Sequence, residues 1–235
     1  MDRRTTIVVL SYNGKDLTKK FLELLFEHTP EFKLIMIDNC STDGTVDYLI
    51  EAVKQREADS TLVLNNMNTG VIGGRNMGYV LFQSDPSEFL CFLDNDQFVR
   101  SGWLEQYHEF MNKGNYDVIG ADAWLMDSSF MPRRNCKRQG EPYSYVGCGG
   151  MMVKKAVVDT IGLFDEQFNP AYFEDPDFNF RAREAGFKIG WNSLAKVDHL
   201  PHQTLGKNAD RMKIFAQSYE KFKKKWNGKT FQPLR

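Results

Sequence analysis

The most informative stretch for predicting the fold is TTIVVLSYNGKDLTKKFLELLFEHTPEFKLIMID, residues 5–38. Thr5 to Tyr12 is a short apolar run rich in β-branched residues, which is typical of a buried strand. The apolar residues that follow recur at helical spacing, at Leu17, Phe21, Leu24 and Leu25. Phe32 to Asp38 is a second short apolar run. The stretch therefore predicts a strand, a helix and a second strand.

The same alternation continues downstream. A second amphipathic helix is marked by Val46, Leu49, Ile50 and Val53. Ser60 to Leu64 is predicted as a third strand, Arg75 to Phe82 as a third helix, and Phe89 to Leu93 as a fourth strand. This rhythm predicts an α/β fold with a mostly parallel central sheet flanked by helices. In such sheets ligands bind at the carboxyl ends of the strands.

The second half of the chain is less regular. Its predicted elements are a strand at Asp117 to Met126, a loop at Asp127 to Gly140, a strand or turn at Tyr143 to Val153, a helix capped by Asp175, opened by Pro176 and closed by Gly186, and a helix from Asn208 to Trp226. We find no internal repeat and no linker. We therefore expect one domain over residues 1–235, with a nucleotide-binding half (1–100), an acceptor or catalytic half (101–207) and a basic amphipathic C-terminal helix (208–235).

Composition restricts the class of protein. The 235 residues are 42% hydrophobic and carry a formal net charge of −1, so no global field attracts nucleic acid or anionic lipid. The four cysteines form neither a CxxC pair nor a zinc-knuckle spacing, which favours a reducing compartment. Every apolar window is too short for a signal-peptide core or a membrane span. We expect a cytoplasmic protein without a transmembrane segment.

Asp94, Asn95 and Asp96 directly follow the fourth predicted strand. Both carboxylates should therefore lie at the carboxyl edge of the sheet, where hard oxygen ligands could hold Mg²⁺ or Mn²⁺ against a diphosphate. Asp and Asn also favour turns, so these three residues alone fit a capped turn equally well. Asp38 and Asn39 end another strand at the same predicted edge.

Four glycines, Gly70, Gly73, Gly74 and Gly78, surround Arg75 and Asn76. A glycine-rich turn would let backbone N–H groups approach an anion, and Arg75 would add a permanent positive charge. The spacing differs from GxGxxG, so we predict no dinucleotide site. A tight turn beside a solvated arginine is the alternative.

Two later clusters carry further chemistry. Residues 172–177, YFEDPD, place three carboxylates at a predicted helix start, where one could accept a proton from an acceptor hydroxyl. An ordinary helix cap would explain Asp175 as well. His199 and His202 follow an apolar stretch, and a histidine near a DxD metal could serve as a further ligand.

Taken in order, these segments resemble inverting glycosyltransferase family 2, which has the GT-A fold. The resemblance covers Ile7 to about Thr204. It rests on VVLSYNG (8–14), IDNCSTDGT (37–45), NTGVIGGRNMG (68–78), FLDNDQ (92–97), IGLFDEQF (161–168), YFEDPDFNFRAREAGFKIGW (172–191) and VDHLPHQT (197–204). It implies transfer of a sugar from a nucleotide-sugar, with UDP favoured over dTDP or GDP, and a Mn²⁺ or Mg²⁺ cofactor.

The resemblance also implies roles by position. Donor binding is assigned to Ser11, Tyr12, Asn13, Asp38, Asn39, Gly70, Arg75, Asn76, Asp94 and Asn95, metal binding to Asp96, His199 and His202, and acceptor binding to Gly149, Gly150, Tyr172 and Trp191. Asp175 is the implied general base, and Glu174 orients the acceptor or sugar. Asn39 stands where many relatives carry Asp, and His202 is an extra histidine. The implied reaction is a single displacement that inverts the anomeric carbon.

Alternatives remain at this stage. A phosphohydrolase of the haloacid dehalogenase type also uses DxD, but on its first strand. A sugar nucleotidyltransferase would need a glycine-rich loop near residues 11–20, which is missing. A non-catalytic sugar-binding domain on the same fold stays open.

The acceptor is not named by the sequence. A saccharide is favoured, and a lipid-linked glycan, a protein or a nucleic acid stay open. The last helix carries aromatic residues on one side and lysines around them, so it either packs on the domain or meets a membrane surface or a polyanionic acceptor.

Overall fold

The structure is a computed structural model that describes residues 5–56, 59–199 and 210–235. Its strands are β1 (Thr5–Ser11), β2 (Lys33–Asp38), β3 (Ser60–Leu64), β4 (Phe89–Asp94), β5 (Gln97–Val99), β6 (Val118–Gly120), β7 (Ala123–Met126), β8 (Pro132–Asn135), β9 (Tyr145–Val146), β10 (Met151–Lys154), β11 (Ile189–Trp191) and β12 (Val197–His199). Its helices are α1 (Lys15–His28), α2 (Thr45–Lys54), α3 (Gly70–Ser84), α4 (Trp103–Gly114), α5 (Lys155–Ile161), α6 (Glu174–Glu184) and α7 (Arg211–Lys225).

A seven-stranded sheet forms the centre, in the order β11-β6-β10-β4-β1-β2-β3. All neighbouring pairs are parallel except those of β10, which runs antiparallel to both β4 and β6. Because β10 reverses the direction twice, β6 and β11 point the same way as β4. The carboxyl ends of six strands therefore meet at one edge, and the predicted mostly parallel α/β sheet is confirmed.

Both faces of this sheet are buried against helices. Because alternate side chains of a strand point to opposite faces, one strand contributes to both apolar clusters. Ile7 and Val9 of β1 belong to an apolar cluster with residues of α1, α2 and α4. Val8 belongs to a second cluster with residues of α3, α5, α6 and α7. Burial on two faces explains why β1 reads as a continuous apolar run.

Helix α3 begins at Gly70, five residues before the predicted start. The prediction that the surrounding glycines form an anion-binding turn was wrong for Gly73, Gly74 and Gly78, which lie inside the helix. A Cβ added to Gly74 would lie 2.4 Å from Leu10, and one added to Gly78 would lie 2.4 Å from Val8. These two glycines let α3 pack closely on β1.

Three predicted segments of the second half take a different form in the structure. The predicted strand at residues 117–126 bends after Gly120 and divides into β6 and β7, which belong to different sheets. The predicted loop at 127–140 contains β8, which pairs with β7, and β9 completes this small sheet on the other side of β7. Helix α6 begins at Glu174 rather than at Pro176, and its N-cap is Phe173 rather than Asp175.

Two consecutive residues before α6, Tyr172 and Phe173, have φ values of 72° and 68°. Aromatic residues rarely adopt this left-handed conformation, so surrounding contacts must hold it. The contacts come from α7: the Phe173 ring lies 5.2 Å from the ring of Phe215 and 5.2 Å from that of Phe222. In addition, Ser218 Oγ donates a hydrogen bond to Ala171 O at 2.9 Å. Helix α7 therefore fixes the segment that leads into α6.

The aromatic side of α7 packs against the rest of the domain. Phe222 and Trp226 are buried, and Trp226 Nε1 donates to the buried Asp177 carboxylate at 3.0 Å. Of the two readings of the C-terminal helix, packing on the domain is the one that the structure shows. Among the described residues, no helix has both the length and the apolarity needed to cross a bilayer.

Phe222→Ala should destabilise the protein by about 3–5 kcal/mol, the usual loss for truncating a fully buried Phe. The Phe222 ring packs against Phe173 and Phe180, with centroids 5.2 and 5.5 Å away, so a cavity would open beneath the segment before α6. Chemical denaturation measures this loss.

Met212→Ala is the matched control, because Met212 lies on the same helix and is 73% exposed. It should stay within about 0.5 kcal/mol of wild type. Equal stability of the Phe222 and Met212 variants would show that α7 is not part of the folded core.

Candidate active site

A cavity of about 590 Å³ opens at the carboxyl edge of the central sheet. It brings together twelve of the residues singled out from the sequence: Tyr12, Asn39, Gly70, Arg75, Asp94, Asn95, Asp96, Gly149, Tyr172, Glu174, Asp175 and His199. They come from segments far apart in the chain, which the parallel strand order gathers at one edge.

Six predicted site residues lie outside this lining. Ser11 is buried, and its Oγ lies 3.1 Å from Thr18 Oγ1. Asn76 turns away, because its Nδ2 donates to Phe164 O at 2.9 Å. Gly150 is tied to Tyr107, and Trp191 is buried against Tyr143. Neither of these two predicted acceptor residues is brought to the cavity.

The remaining two, Asn13 and Asp38, support the turn that follows β2. Asn13 Oδ1 accepts from Thr42 N at 2.8 Å, and Asp38 Oδ2 accepts from Ser41 N at 2.8 Å. Asp38 Oδ1 is buried and has no hydrogen-bond partner within the described residues. That oxygen is an available acceptor one residue before Asn39, which lines the cavity. His202, the other predicted metal ligand, lies outside the described residues.

Asn39 uses its side chain to hold the loop before α3. Its Nδ2 donates to Asn68 Oδ1 at 2.9 Å and to Gly70 O at 3.1 Å. Its Oδ1 accepts from Thr69 N at 2.9 Å and from Asn65 Nδ2 at 3.2 Å. These bonds position the Gly70 end of the cavity.

Arg75 is the charged centre of the site and is only 4% exposed. Its Nη2 lies 2.6 Å from Asp94 Oδ1, and its Nη1 contacts Cys148 Sγ and lies 3.8 Å from Glu174 Oε1. Burial alone would lower the pKa of Arg75, but Asp94 and the acidic groups beyond it raise the pKa overall, so the guanidinium stays charged. A buried cation of this kind persists only when it is paired, and here it joins two carboxylates across the cavity.

Glu174 and Asp175 form a carboxylate pair at the start of α6. Burial, and then the charge of Glu174, raise the pKa of Asp175 well above its ordinary value. Burial is also the first cause of the raised pKa of Glu174. Asp175 Oδ1 and Glu174 Oε2 are buried without a hydrogen-bond partner in the described chain. Such oxygens can accept a proton from a ligand, or a hydrogen bond from a hydroxyl group of a ligand.

Asp96 and His199 meet through a small two-stranded sheet. Strand β12 pairs antiparallel with β5, which sets His199 opposite Gln97, the residue after Asp96. His199 Nε2 lies 3.5 Å from Asp96 Oδ1, a buried oxygen that forms no other hydrogen bond with the described residues. The interaction with Asp96 raises the pKa of His199. A carboxylate and an imidazole facing each other are a donor set that suits Mn²⁺.

A second set of potential ligand atoms comes from Cys148, Glu174 and Asp175, which lie within 4.8 Å of one another. Arg75 already contacts Cys148 and stands beside Glu174. The guanidinium of Arg75 therefore already supplies a positive charge beside these groups. They fit an acid–base role better than a metal site.

Gly149 allows the backbone to approach Asp94 and Gln97 closely. A Cβ at this position would lie 2.9 Å from Asp94 Oδ2 and 2.8 Å from Gln97 Nε2. Gln97 in turn accepts from Asp94 N at 2.9 Å, so the three residues form one packed corner of the cavity.

The cavity residues that the sequence analysis did not assign include Asp122, Trp124, Cys148 and Arg211. Asp122 follows β6, and its Oδ1 accepts from Gly147 N at 3.2 Å. Burial raises the pKa of Asp122. A carboxylate two residues after the short apolar strand β6 was a usable signal for Asp122. Cys148, Trp124 and Arg211 offered none, because only tertiary packing brings them to the cavity.

A mostly parallel sheet with acidic residues on its carboxyl edge, facing a carboxylate pair across a cavity, defines the GT-A class of fold. The chain belongs to glycosyl transferase family 2, whose sequence model matches residues 6–200. The family resemblance inferred from the motifs is thus confirmed.

Named relatives match about half of the chain. It is 30% identical over 130 residues to TuaG of Bacillus subtilis, named as a teichuronic acid biosynthesis glycosyltransferase, covering 52% of this chain and 50% of TuaG. It is 26% identical over 119 residues to a poly(ribitol-phosphate) beta-glucosyltransferase of Bacillus spizizenii, covering 49% of this chain and 18% of that protein. The chain therefore matches half or less of the length of these relatives.

Solved structures share the fold at low sequence identity. GalNAc-T7 with UDP, GalNAc and Mn²⁺ has a TM-score of 0.76 at 15% identity, covering 96% of this chain and 48% of that one. The mannosyltransferase PcManGT of Pyrobaculum calidifontis, in complex with GDP-Man and Mn²⁺, has a TM-score of 0.71 at 14% identity, covering 97% and 66%.

Proposed function

We propose that this protein is a metal-dependent inverting glycosyltransferase that moves a sugar from a nucleotide-sugar to an acceptor hydroxyl. One observation carries the proposal: Glu174 and Asp175 line the same cavity as Asp94, Asp96 and His199, and each has a buried carboxylate oxygen without a hydrogen-bond partner among the described residues. This grouping supports a proton acceptor and a metal-binding edge that border one space large enough for a substrate.

The donor end is proposed to lie along the carboxyl ends of β1, β2 and β4. Tyr12 lines the cavity there, and Asp38 Oδ1 offers a buried acceptor to an N–H group of a base. UDP-sugars are the first choice, followed by GDP- and dTDP-sugars. Fold neighbours solved in complex with UDP or GDP-Man support a nucleotide-sugar as the donor class.

Asp96 and His199 are proposed to hold a divalent cation, Mn²⁺ or Mg²⁺. Their fit rests on the buried Asp96 Oδ1. This oxygen lies 3.5 Å from His199 Nε2 and has no hydrogen-bond partner among the described residues. When bound, such an ion neutralises the charge that develops on a departing diphosphate.

Asp175 is proposed as the general base. It takes the proton of the acceptor hydroxyl, while the hydroxyl oxygen bonds to the anomeric carbon from the side opposite the leaving group. The bond from that carbon to the phosphate oxygen breaks, and the nucleoside diphosphate leaves with the bonding electrons. One displacement inverts the configuration and needs no protein nucleophile.

Arg75 is proposed to act by positioning. The sequence assigned it to the nucleoside or diphosphate, but its Nη atoms are engaged by Asp94 and Cys148. We therefore assign it to holding Asp94 and Glu174 at a fixed separation and limiting the repulsion among the acidic groups.

The acceptor is proposed to be a saccharide or a polyol phosphate polymer. The names of two relatives, which refer to teichuronic acid and poly(ribitol-phosphate), support that class. A lipid-linked glycan or a nucleic acid has no comparable support.

Titration with UDP-, GDP-, dTDP- and CMP-sugars, with and without Mn²⁺, tests the donor proposal. One nucleotide class should stabilise the protein only when metal is present, by about 2.7 kcal/mol at a concentration 100-fold above Kd. Thermal shift and calorimetry measure the effect. Stabilisation by none of them would favour a non-catalytic domain on this fold.

A further inference from the structure

Arg211, the first residue of α7, lines the cavity beside Tyr172. Its Nε donates a hydrogen bond to Tyr172 Oη at 2.9 Å. The Tyr172 ring is itself fixed, because it packs edge-on against Phe215 with the centroids 5.5 Å apart. The guanidinium is therefore held through Nε by a rigid aromatic hydroxyl.

The charges around the cavity are unevenly matched. Five carboxylates line it, at Asp94, Asp96, Asp122, Glu174 and Asp175, together with two arginines. Arg75 is paired with Asp94 and stands near Glu174. Within the described ranges, Arg211 pairs with none of the five carboxylates, and its one side-chain hydrogen bond uses Nε.

The geometry of arginine makes this arrangement informative. With Nε occupied, Nη1 and Nη2 still present a planar pair of donors, which matches two oxygens of one phosphate group. A neutral sugar hydroxyl would not require a permanent charge at this position. An anion does, particularly in a cavity whose other walls are acidic.

We infer that Arg211, oriented by Tyr172, binds a phosphate group of a substrate in this cavity. The inference rests on the proposed transferase function for its choice of substrates. Two sources have the same chemistry: the diphosphate of the donor and a phosphate carried by the acceptor. Tyr172 is a positioning residue, since it acts through Arg211.

Four variants test the inference. Arg211→Gln removes the charge, Arg211→Lys keeps the charge but loses the planar pair, and Tyr172→Phe removes the orienting hydroxyl. Lys213→Gln is the matched control, because Lys213 is exposed on the same helix and lies outside the cavity. Each variant is titrated calorimetrically, with Mn²⁺ present, against UDP, uridine, ribitol 5-phosphate and ribitol, and against inorganic phosphate.

Arg211→Gln should weaken at least one phosphate-bearing ligand about tenfold or more, as expected for loss of a charge-assisted hydrogen bond, and leave its neutral counterpart unchanged. Arg211→Lys should recover only part of the affinity, Tyr172→Phe should lose less than Arg211→Gln, and Lys213→Gln should match wild type. Weakening of UDP alone identifies the donor diphosphate as the source. Weakening of ribitol 5-phosphate alone identifies an acceptor phosphate.

Unchanged affinity for every phosphate ligand, in an Arg211→Gln protein that melts at the wild-type temperature, overturns the inference. Equal weakening of phosphate-bearing and neutral ligands also overturns it, because it shows a structural effect. If wild type binds no nucleotide but binds inorganic phosphate in an Arg211-dependent manner, the proposed function fails while the Arg211 inference stands.

Discussion

Asp175→Asn should lower the rate of sugar transfer by about 10²–10⁴-fold while nucleotide-sugar binding stays near the wild-type level. The amide keeps the size and shape of the side chain but cannot take a proton. Asp175 Oδ1 has no hydrogen-bond partner in the described residues, so the substitution breaks no bond that this oxygen makes. The loss should therefore appear in kcat.

Single-turnover transfer and calorimetric donor binding separate the two effects. Glu184→Gln is the control, because Glu184 lies on the same helix and pairs at the surface with Lys229 at 2.7 Å. Normal turnover by Asp175→Asn would exclude Asp175 as the general base and would make Glu174 the next candidate.

The pH profile gives an independent check on Asp175. A base acts only when it is deprotonated, so kcat/KM should fall as the pH drops through its pKa. Burial and the neighbouring Glu174 raise that pKa, which places the acid limb above the range of an ordinary aspartate. The residual activity of Asp175→Asn should lack this limb.

Asp96→Ala should abolish the metal-dependent part of donor binding. Asp96 Oδ1 is a buried oxygen that faces His199 Nε2 at 3.5 Å, and its removal leaves one protein ligand of the proposed pair. Calorimetric titration of UDP with and without Mn²⁺ measures the difference, which should vanish in the variant.

Asp198→Asn is the matched control for that experiment. Asp198 neighbours His199 but is 59% exposed and pairs with Arg100 at 3.2 Å, so it should retain the full metal effect. An undiminished metal effect in Asp96→Ala, with the melting temperature preserved, would exclude Asp96 as a ligand.

The first half of the fold was readable from the sequence because its strands and helices alternate in short, uniformly patterned segments. Strand β3 begins and ends where it was predicted, and β4 exceeds its prediction by one residue. Helix α3 was predicted too short, because glycine is a poor helix former in isolation. Here its missing Cβ is required for contact with Leu10 and Val8, and tertiary packing outweighs propensity.

The second half was harder because its strands pair over long distances. No local signal marks the point in residues 117–126 at which the chain passes from the central sheet to the small sheet. Nor does any local signal show that β10 inserts antiparallel between β4 and β6. Helix α4 was overlooked although its buried residues, from Trp103 to Met111, recur at helical spacing. The sequence predicted acidic residues at the sheet edge, but the Arg75 contacts with Cys148 and Glu174 depend on the folded strand order.

The packing of α7 on Tyr172 and Phe173 has a consequence for comparing relatives. The family model matches residues 6–200, whereas α7 begins at Arg211. Two chains can therefore share every motif and still seat the residue before the carboxylate pair differently. A chimera that exchanges only the C-terminal helix would change two features together. These are the packing that positions Phe173 and hence the start of α6, which carries Asp175, and the presence of Arg211 at the cavity wall. Under the roles proposed for Asp175 and Arg211, reaction rate and substrate choice would then change together.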